Sequence, residues 1–295
     1  MMKVLLLGAR GQLATALRPP LEAAGHIVSG LTHEECDITD GRQTARHLEA
    51  HRPDVVINTT AYHQVDQCET EIERAFLVNG YGPRDLAGQC ESRRIRLVHV
   101  STNYVFDGRQ RTPYDEEAAP NPLSVYALSK LAGELFVRGA GPRHLVVRTA
   151  GVYGRHGGRR AGDNFVERMI AAASGGRPLR VVNDQVMTPT YAGHLAAGLV
   201  KLLDAEGGGL YHLTNRGSCS WWEFARAVIA RAGLGAEIEP VSTNAYGAAA
   251  PRPAYSVLSS RRLNQAGLSP MPPWEEGLEV YFRDRLRGLK AGTDA

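Results

Sequence analysis

A phenol and an ammonium stand four residues apart in Tyr126-Ala127-Leu128-Ser129-Lys130, so a helix here carries both on one face. A neighbouring positive charge favours phenolate, and the spacing therefore predicts a tyrosine of lowered pKa that passes its proton to a carbonyl undergoing reduction. Upstream, residues 96–101 read as a fully buried strand that delivers Ser101-Thr102 to its carboxyl end. Ligands of open α/β sheets bind outside that edge, so the Thr102 hydroxyl is expected in the same crevice, holding a substrate oxygen. Thr102, Tyr126 and Lys130 are the expected catalytic set. His99 lies inside the apolar strand and reads as a satisfied core residue rather than a base.

Reduction needs an electron source, and a second motif points to one. Gly8-Ala9-Arg10-Gly11-Gln12-Leu13-Ala14 follows the apolar run 4–7 and opens a helical stretch over 13–24. Glycines at this spacing permit a tight turn and let backbone N–H groups approach a pyrophosphate at the positive end of a helix. Cys36-Asp37-Ile38-Thr39-Asp40 follows the second strand and could border an adenine, while Thr39 or Asp40 could equally cap the next helix. No acid stands at Leu31-Thr32, where it would bind a ribose 2′-hydroxyl, and Arg10 is placed to meet a 2′-phosphate. NADPH is thus favoured over NADH. Mg2+ is possible but not indicated, and no metal-ligand cluster is expected.

The elements that must position these residues alternate along the chain. Strands are expected over 4–7, 26–31, 54–58, 96–101 and 145–148, with helices over 41–51 and 72–91. Such alternation implies right-handed crossovers and an α/β fold, a Rossmann-type doubly wound parallel sheet. Pro19-Pro20 predict a break of the first helix near Arg18. Residues 1–154 read as the dinucleotide-binding domain, with 178–229 returning to it. Residues 155–177 and 230–295 read as a smaller, C-terminal substrate-binding lobe, against which Trp221, Trp222 and Phe224 are expected to pack. Arg155, Arg159 and Arg160 flank a Gly-rich loop and could clasp a diphosphate. Asp115-Glu116-Glu117 reads as an acidic surface turn.

Bulk composition agrees with a soluble enzyme: 43% of residues are hydrophobic, 22% charged, and the formal net charge is +3. There is no basic run to suggest nucleic-acid binding, no apolar run of membrane-spanning length and no signal-peptide pattern, so the expected location is cytoplasmic. Cys36, Cys68, Cys90 and Cys219 show no metal or disulfide spacing and are expected as reduced thiols.

Three segments carry a more specific resemblance. Residues 101–108 (STNYVFDG), 126–134 (YALSKLAGE) and 184–190 (DQVMTPT) resemble those of dTDP-4-dehydrorhamnose reductases. Asn58-Thr59-Thr60-Ala61-Tyr62, Phe76-Leu77-Val78-Asn79, Tyr211-His212-Leu213-Thr214-Asn215 and Arg252-Pro253-Ala254-Tyr255-Ser256 fall in the same order as in that family. The resemblance implies NAD(P)H-dependent reduction at C4 of dTDP-4-keto-L-rhamnose, with Tyr126 as proton donor and a nucleotide sugar as substrate. It further implies that Gly8, Arg10, Gly11, Gln12, Leu13, Asp37, Ile38, Ala61, Tyr62, His63, Tyr126 and Lys130 surround the cofactor. Val65, Thr102, Asn103, Tyr126 and Gly151 would surround the sugar, and a homodimer is possible. Asn103 stands where the family usually has Asp, His63 where Thr is common, and Gly151 where some members carry a Trp against the sugar. Those departures leave open a related keto-sugar as substrate. A non-catalytic cofactor-binding role is the other alternative, since the regulatory subunit of methionine adenosyltransferase resembles the same family. Nucleotide-sugar 4,6-dehydratases would place an Asp-Glu pair after the threonine, where this chain has Asn103-Tyr104.

Overall fold

A computed structural model describes residues 1–154, 164–176, 178–205 and 207–293, without side chains from 287 onward. Arg155, Arg159 and Arg160 therefore lie outside the described residues.

The first half of the chain lays down strands that are apolar at almost every position, as burial on both faces requires. In order they are β1 Lys3–Leu7, β2 Ile27–Leu31, β3 Val55–Asn58, β4 Arg96–Thr102 and β5 Leu145–Thr149. Helices alternate with them: α1 Gln12–Ala23, α2 Gly41–His51, the short α3 Val65–Cys68, α4 Ile72–Phe76, α5 Gly82–Ser92 and α6 Val125–Ala140. After the two-residue strand β6 Val152–Tyr153 come α7 Phe165–Ser174, β7 Leu179–Val182, β8 Val186–Met187, β9 Thr190–Tyr191, α8 Ala192–Asp204 and β10 Gly209–His212. The chain ends in β11 Cys219–Ser220, α9 Trp221–Arg231, β12 Ile238–Val241, α10 Thr243–Tyr246, α11 Arg261–Gln265 and α12 Trp274–Thr293.

Six of these strands form one sheet in the order β10-β5-β4-β3-β1-β2, every pair parallel. Alternate side chains feed two cores. Val4, Leu6, Val98 and Val147 pack against Leu13 and Leu17 of α1 and Leu195 and Leu199 of α8. Leu5, Leu7, Leu97 and Val146 pack against Leu48 of α2, Leu86 of α5 and Val137 of α6. This is the doubly wound Rossmann-type architecture, with α1 and α8 on one face and α2, α5 and α6 on the other.

Three expectations about elements are corrected. The first helix does not break: α1 runs through Pro19 and Pro20 to Ala23. Leu17 and Leu21, both fully buried, anchor it on either side, and Arg18 donates to Val28 O at 3.0 Å. Burying each leucine contributes about 1.5–3 kcal/mol, which offsets much of the loss at exposed Pro19 and half-buried Pro20. The stretch 72–91 is not one regular helix, because a π turn at Leu77–Tyr81 separates α4 from α5. The acidic turn is not a surface feature at its middle residue: Glu116 is buried and accepts from the backbone N–H groups of His212 (3.0 Å) and Arg262 (3.2 Å).

Within residues 178–229, α8 packs on α1 and β10 joins the large sheet, whereas β7 pairs with β12 and α9 packs on α7. Phe224 of α9 sits among Tyr153, Trp274, Leu278 and Tyr281, and Trp221 packs beside it, so this aromatic group fills a core outside the large sheet.

Candidate functional site

Sheet register brings the chemistry to one edge. Thr102 and Thr149 are partners at the carboxyl ends of β4 and β5. Ser124 caps α6 by accepting from Ala127 N at 3.2 Å, which fixes where the helix starts and sets Tyr126 in its first turn and Lys130 one turn further. The Thr102 hydroxyl accepts from Tyr104 N at 3.2 Å, donates to Asn103 Oδ1 at 3.3 Å and reaches the Tyr126 phenol. The ring of Tyr104 meets that of Tyr126 edge-on, 6.1 Å between centroids at 88°. Thr102, Asn103, Tyr104 and Tyr126 thus converge.

Electrostatics at this edge correct one expectation. Burial raises the Tyr126 pKa above its ordinary value, and the Thr102 hydroxyl opposes that shift only in part. The Lys130 Nζ is engaged by β4: it donates to Val100 O at 2.7 Å and lies 3.4 Å from His99 Nε2. Burial lowers the Lys130 pKa to about 8.

At the other end of the crevice the glycine turn has the form a pyrophosphate needs. Gly8 has φ +81°, and a Cβ there would lie 2.9 Å from Thr59 Oγ1; one at Gly11 would lie 3.1 Å from Gly8 O. Among the described residues no side chain caps α1 at Gly11 and no acid occupies its first turn, which leaves the positive helix end open to an anion. Gln12 Oε1 is buried with no hydrogen-bond partner among the described residues, as a side chain awaiting one would be. These residues fit a dinucleotide. The Leu13 and Ile38 side chains are buried in the two sheet cores, so only their backbone can face it. Asp37 accepts from Thr39, and Asp40 caps α2 by accepting from Arg42 N (2.8 Å) and Gln43 N (3.2 Å). Arg10 pairs with Glu34 at 3.4 Å on the surface just beyond β2.

A family model described as the RmlD substrate binding domain matches residues 2–286. The chain belongs to the dTDP-4-dehydrorhamnose reductase family. The spore coat polysaccharide biosynthesis protein SpsK of Bacillus subtilis is 42% identical, over 97% of this chain and 98% of that protein. The dTDP-4-dehydrorhamnose reductase of Mycolicibacterium smegmatis is 42% identical, over 94% of this chain and 84% of that protein. Among solved structures, dTDP-4-dehydrorhamnose reductase from Bacillus anthracis in complex with NADP superposes with a TM-score of 0.92. It is 37% identical, covering 96% of this chain and 99% of that one.

The remaining residues expected from this family resemblance lie around the same edge in different states. Tyr62 is buried: its N–H donates to Asn79 Oδ1 at 2.8 Å, its hydroxyl donates to Gln67 Oε1 at 3.1 Å, and Ala61 precedes it after β3. Val65 opens α3, and His63 is exposed beside it. Asn103 is tied to the far end of the chain, donating to Ser256 Oγ at 2.7 Å. Gly151 has φ +50°, and a Cβ there would meet Met187 Sδ at 3.0 Å.

Four further residues were not singled out as site residues. Asn79, in the π turn, donates to Tyr62 O and to Ser129 Oγ, both at 3.0 Å, and so joins the α3 loop to the helix bearing Tyr126. A buried Asn in an apolar helical run is the signal that could have found it, and π turns recur at functional sites. Arg252 forms a two-pronged pair with Asp66 (3.0 and 2.8 Å) and faces the Tyr104 phenol. Tyr104 and Arg252 lie in segments that carry the family resemblance, but their meeting with Asp66 is not announced locally, because it forms only when residues 250–256 fold back over the sheet edge. Among the described residues no three of His, Cys, Asp or Glu group as a metal site, and no helix is long and apolar enough to cross a membrane.

Proposed function

We propose that this chain is an NADPH-dependent reductase of the C4 keto group of a dTDP-4-keto-6-deoxy sugar, converting dTDP-4-dehydrorhamnose to dTDP-L-rhamnose. The observation that carries the reading is the placement of Thr102 at the carboxyl end of β4 with Tyr104 packed edge-on against Tyr126, which stands in the first turn of α6 one helical turn before Lys130. Membership of the family and the names of its relatives supply the substrate class.

NADPH, when bound, supplies the hydride. Gly8, Gly11, Gln12 and Leu13 would hold the pyrophosphate at the α1 end and Arg10 the 2′-phosphate; Asp37, Ile38, Ala61, Tyr62 and His63 would border the rest of the dinucleotide. Val65, Asn103 and Gly151 frame the sugar, and Thr102 hydrogen-bonds its C4 oxygen. Tyr126 gives its phenolic proton to that oxygen as the carbonyl becomes an alcohol, and regains a proton from solvent. Lys130 binds the nicotinamide ribose and stabilises the phenolate that forms.

The test is oxidation of NADPH by the purified chain with dTDP-4-dehydrorhamnose, beside the same assay on Tyr126→Phe. Phenylalanine keeps the ring and removes the proton, so turnover should drop by about 10²–10⁴ while the NADPH dissociation constant holds. Near-normal turnover by that variant would remove Tyr126 from its role.

A second reading, reduction of a related nucleotide keto-sugar, has support in Asn103, His63 and Gly151, which alter the sugar side while leaving the proton-donating set whole. Comparing kcat/KM across several keto-sugars decides between the two. We also propose that the protein works in the cytoplasm as a homodimer. Exposed Leu77, Tyr81, Leu128, Leu135 and Phe136 lie on the packed helices around α6 and offer a second copy an apolar surface.

A further inference from the structure

His99 has no place in the reaction as proposed, yet it is fully buried and touches Lys130. Its hydrogen bonds can be assigned by parity, because a neutral imidazole carries one donor and one acceptor nitrogen. Asn58 settles which is which. The Asn58 Oδ1 already accepts from Thr60 N at 3.0 Å and Thr60 Oγ1 at 2.6 Å, so its amide nitrogen must be the atom facing His99 Nδ1 at 3.1 Å. Turning the amide over would set its NH2 against the Thr60 N–H and leave two donors opposed. Nδ1 is therefore the acceptor, and the proton of the neutral ring sits on Nε2.

That proton points at Lys130 Nζ, 3.4 Å away. An ammonium has only donors, and so would face this N–H donor to donor. A neutral amine fits: its lone pair accepts from His99 Nε2 while an N–H donates to Val100 O at 2.7 Å. We infer that His99 is a positioning residue for Lys130, its Nε2–H bonding the amine form of that side chain against β4 and disfavouring the ammonium there.

Other charges near Lys130 leave this assignment standing. Glu134, one turn further along α6, is engaged by Arg148 from β5 (2.6 Å) and by the Ser101 hydroxyl from β4, so its charge is already compensated. From β4 the facing titratable group is His99, whose own protonation is opposed chiefly by burial. From α6 it is Tyr126, neutral through burial. Burial of Lys130 acts in the same direction as the hydrogen-bond pattern.

The functional consequence rests on the role proposed for Lys130, but the test does not. The chain has four lysines, Lys3, Lys130, Lys201 and Lys290, so the protein labelled with 13C-lysine gives four Cε signals to titrate without cofactor or substrate. One signal, assigned through its loss in Lys130→Arg, should titrate near pH 8. Two variants then change the parity. Asn58→Asp accepts a proton from Nδ1 and turns Nε2 into an acceptor for an ammonium; His99→Gln presents an amide oxygen with no added charge. Both should raise the Lys130 midpoint by about one pH unit or more. A wild-type midpoint at the ordinary value, or an unmoved midpoint in a folded His99→Gln, would overturn the inference. If the midpoint moves but turnover is absent in every form, the positioning role stands and the reductase reading fails.

Discussion

Arg10 is the residue that most directly ties the glycine turn to a choice of cofactor. It sits at the mouth of the turn, and its surface pair with Glu34 is mostly exposed, so exchanging that partner for a phosphate costs little. A guanidinium on a 2′-phosphate forms charge-assisted hydrogen bonds that a 2′-hydroxyl cannot reproduce. Arg10→Ala is thus expected to raise the NADPH dissociation constant on the order of tenfold and leave that of NADH nearly unchanged. Titration of the intrinsic nicotinamide fluorescence reads both, and equal losses for the two cofactors would remove Arg10 from 2′-phosphate recognition. Much at this scale was legible in the sequence, because Gly8, Gly11, Thr102, Tyr126 and Lys130 belong to short local patterns. The charge state of Tyr126 was not. It depends on where Lys130 points, and His99 and Val100 on another element decide that.

At the scale of elements, catalysis depends on how closely α6 approaches the π turn. Gly133 makes that approach possible: a Cβ there would lie 2.2 Å from Asn79 O and 3.3 Å from His99 Nε2. The backbone oxygen cannot yield without unseating Asn79, which holds both Tyr62 and Ser129. Gly133→Ala should then push α6 away from Leu77–Tyr81 and cost about 1–3 kcal/mol, despite the better helix propensity of alanine. Shifts approaching 1 Å in the Tyr126 and Lys130 positions should lower turnover by up to about 10². Urea denaturation and steady-state kinetics on the same variant check both effects; wild-type stability would mean that the two segments separate freely. The strands were readable because buried parallel strands are continuous apolar runs. The π turn was not, since its cause is a polar side chain pairing with Tyr62 and Ser129, far from it in sequence. The unbroken α1 escaped for a related reason: local proline cost is visible in sequence, whereas the burial of Leu17 and Leu21 against the sheet is not.

For the whole molecule, buried histidines set how the fold responds to acid. His99, His144, His194 and His212 all have pKa values lowered chiefly by burial, and His212 falls to about 3 with Arg148 beside it adding to the effect. In the unfolded chain each returns to about 6.5. Below that pH the unfolded chain binds protons that the native state refuses, so stability falls as pH falls. A deeply buried histidine such as His212 contributes a slope of up to about 1.4 kcal/mol per pH unit until its native pKa is reached. The carboxylates act later and in the same direction. Asp66 is held low by hydrogen bonding from Arg252, and Glu167 by Arg285 and Tyr281 against the upward push of burial. Their stabilising contributions are complete above the unfolded carboxylate pKa values and are lost as pH drops through the lowered native ones. Urea midpoints measured from pH 7.5 downward should therefore begin to fall at about pH 6.5, well above the carboxylate range, and steepen again below about pH 4. His212→Asn, which can still hydrogen-bond Tyr114 O or Ser259 O from its amide nitrogen, should flatten the first limb while leaving the second. A midpoint constant from neutrality to pH 4.5 would show that the interior accepts these protons and that burial does not exclude them.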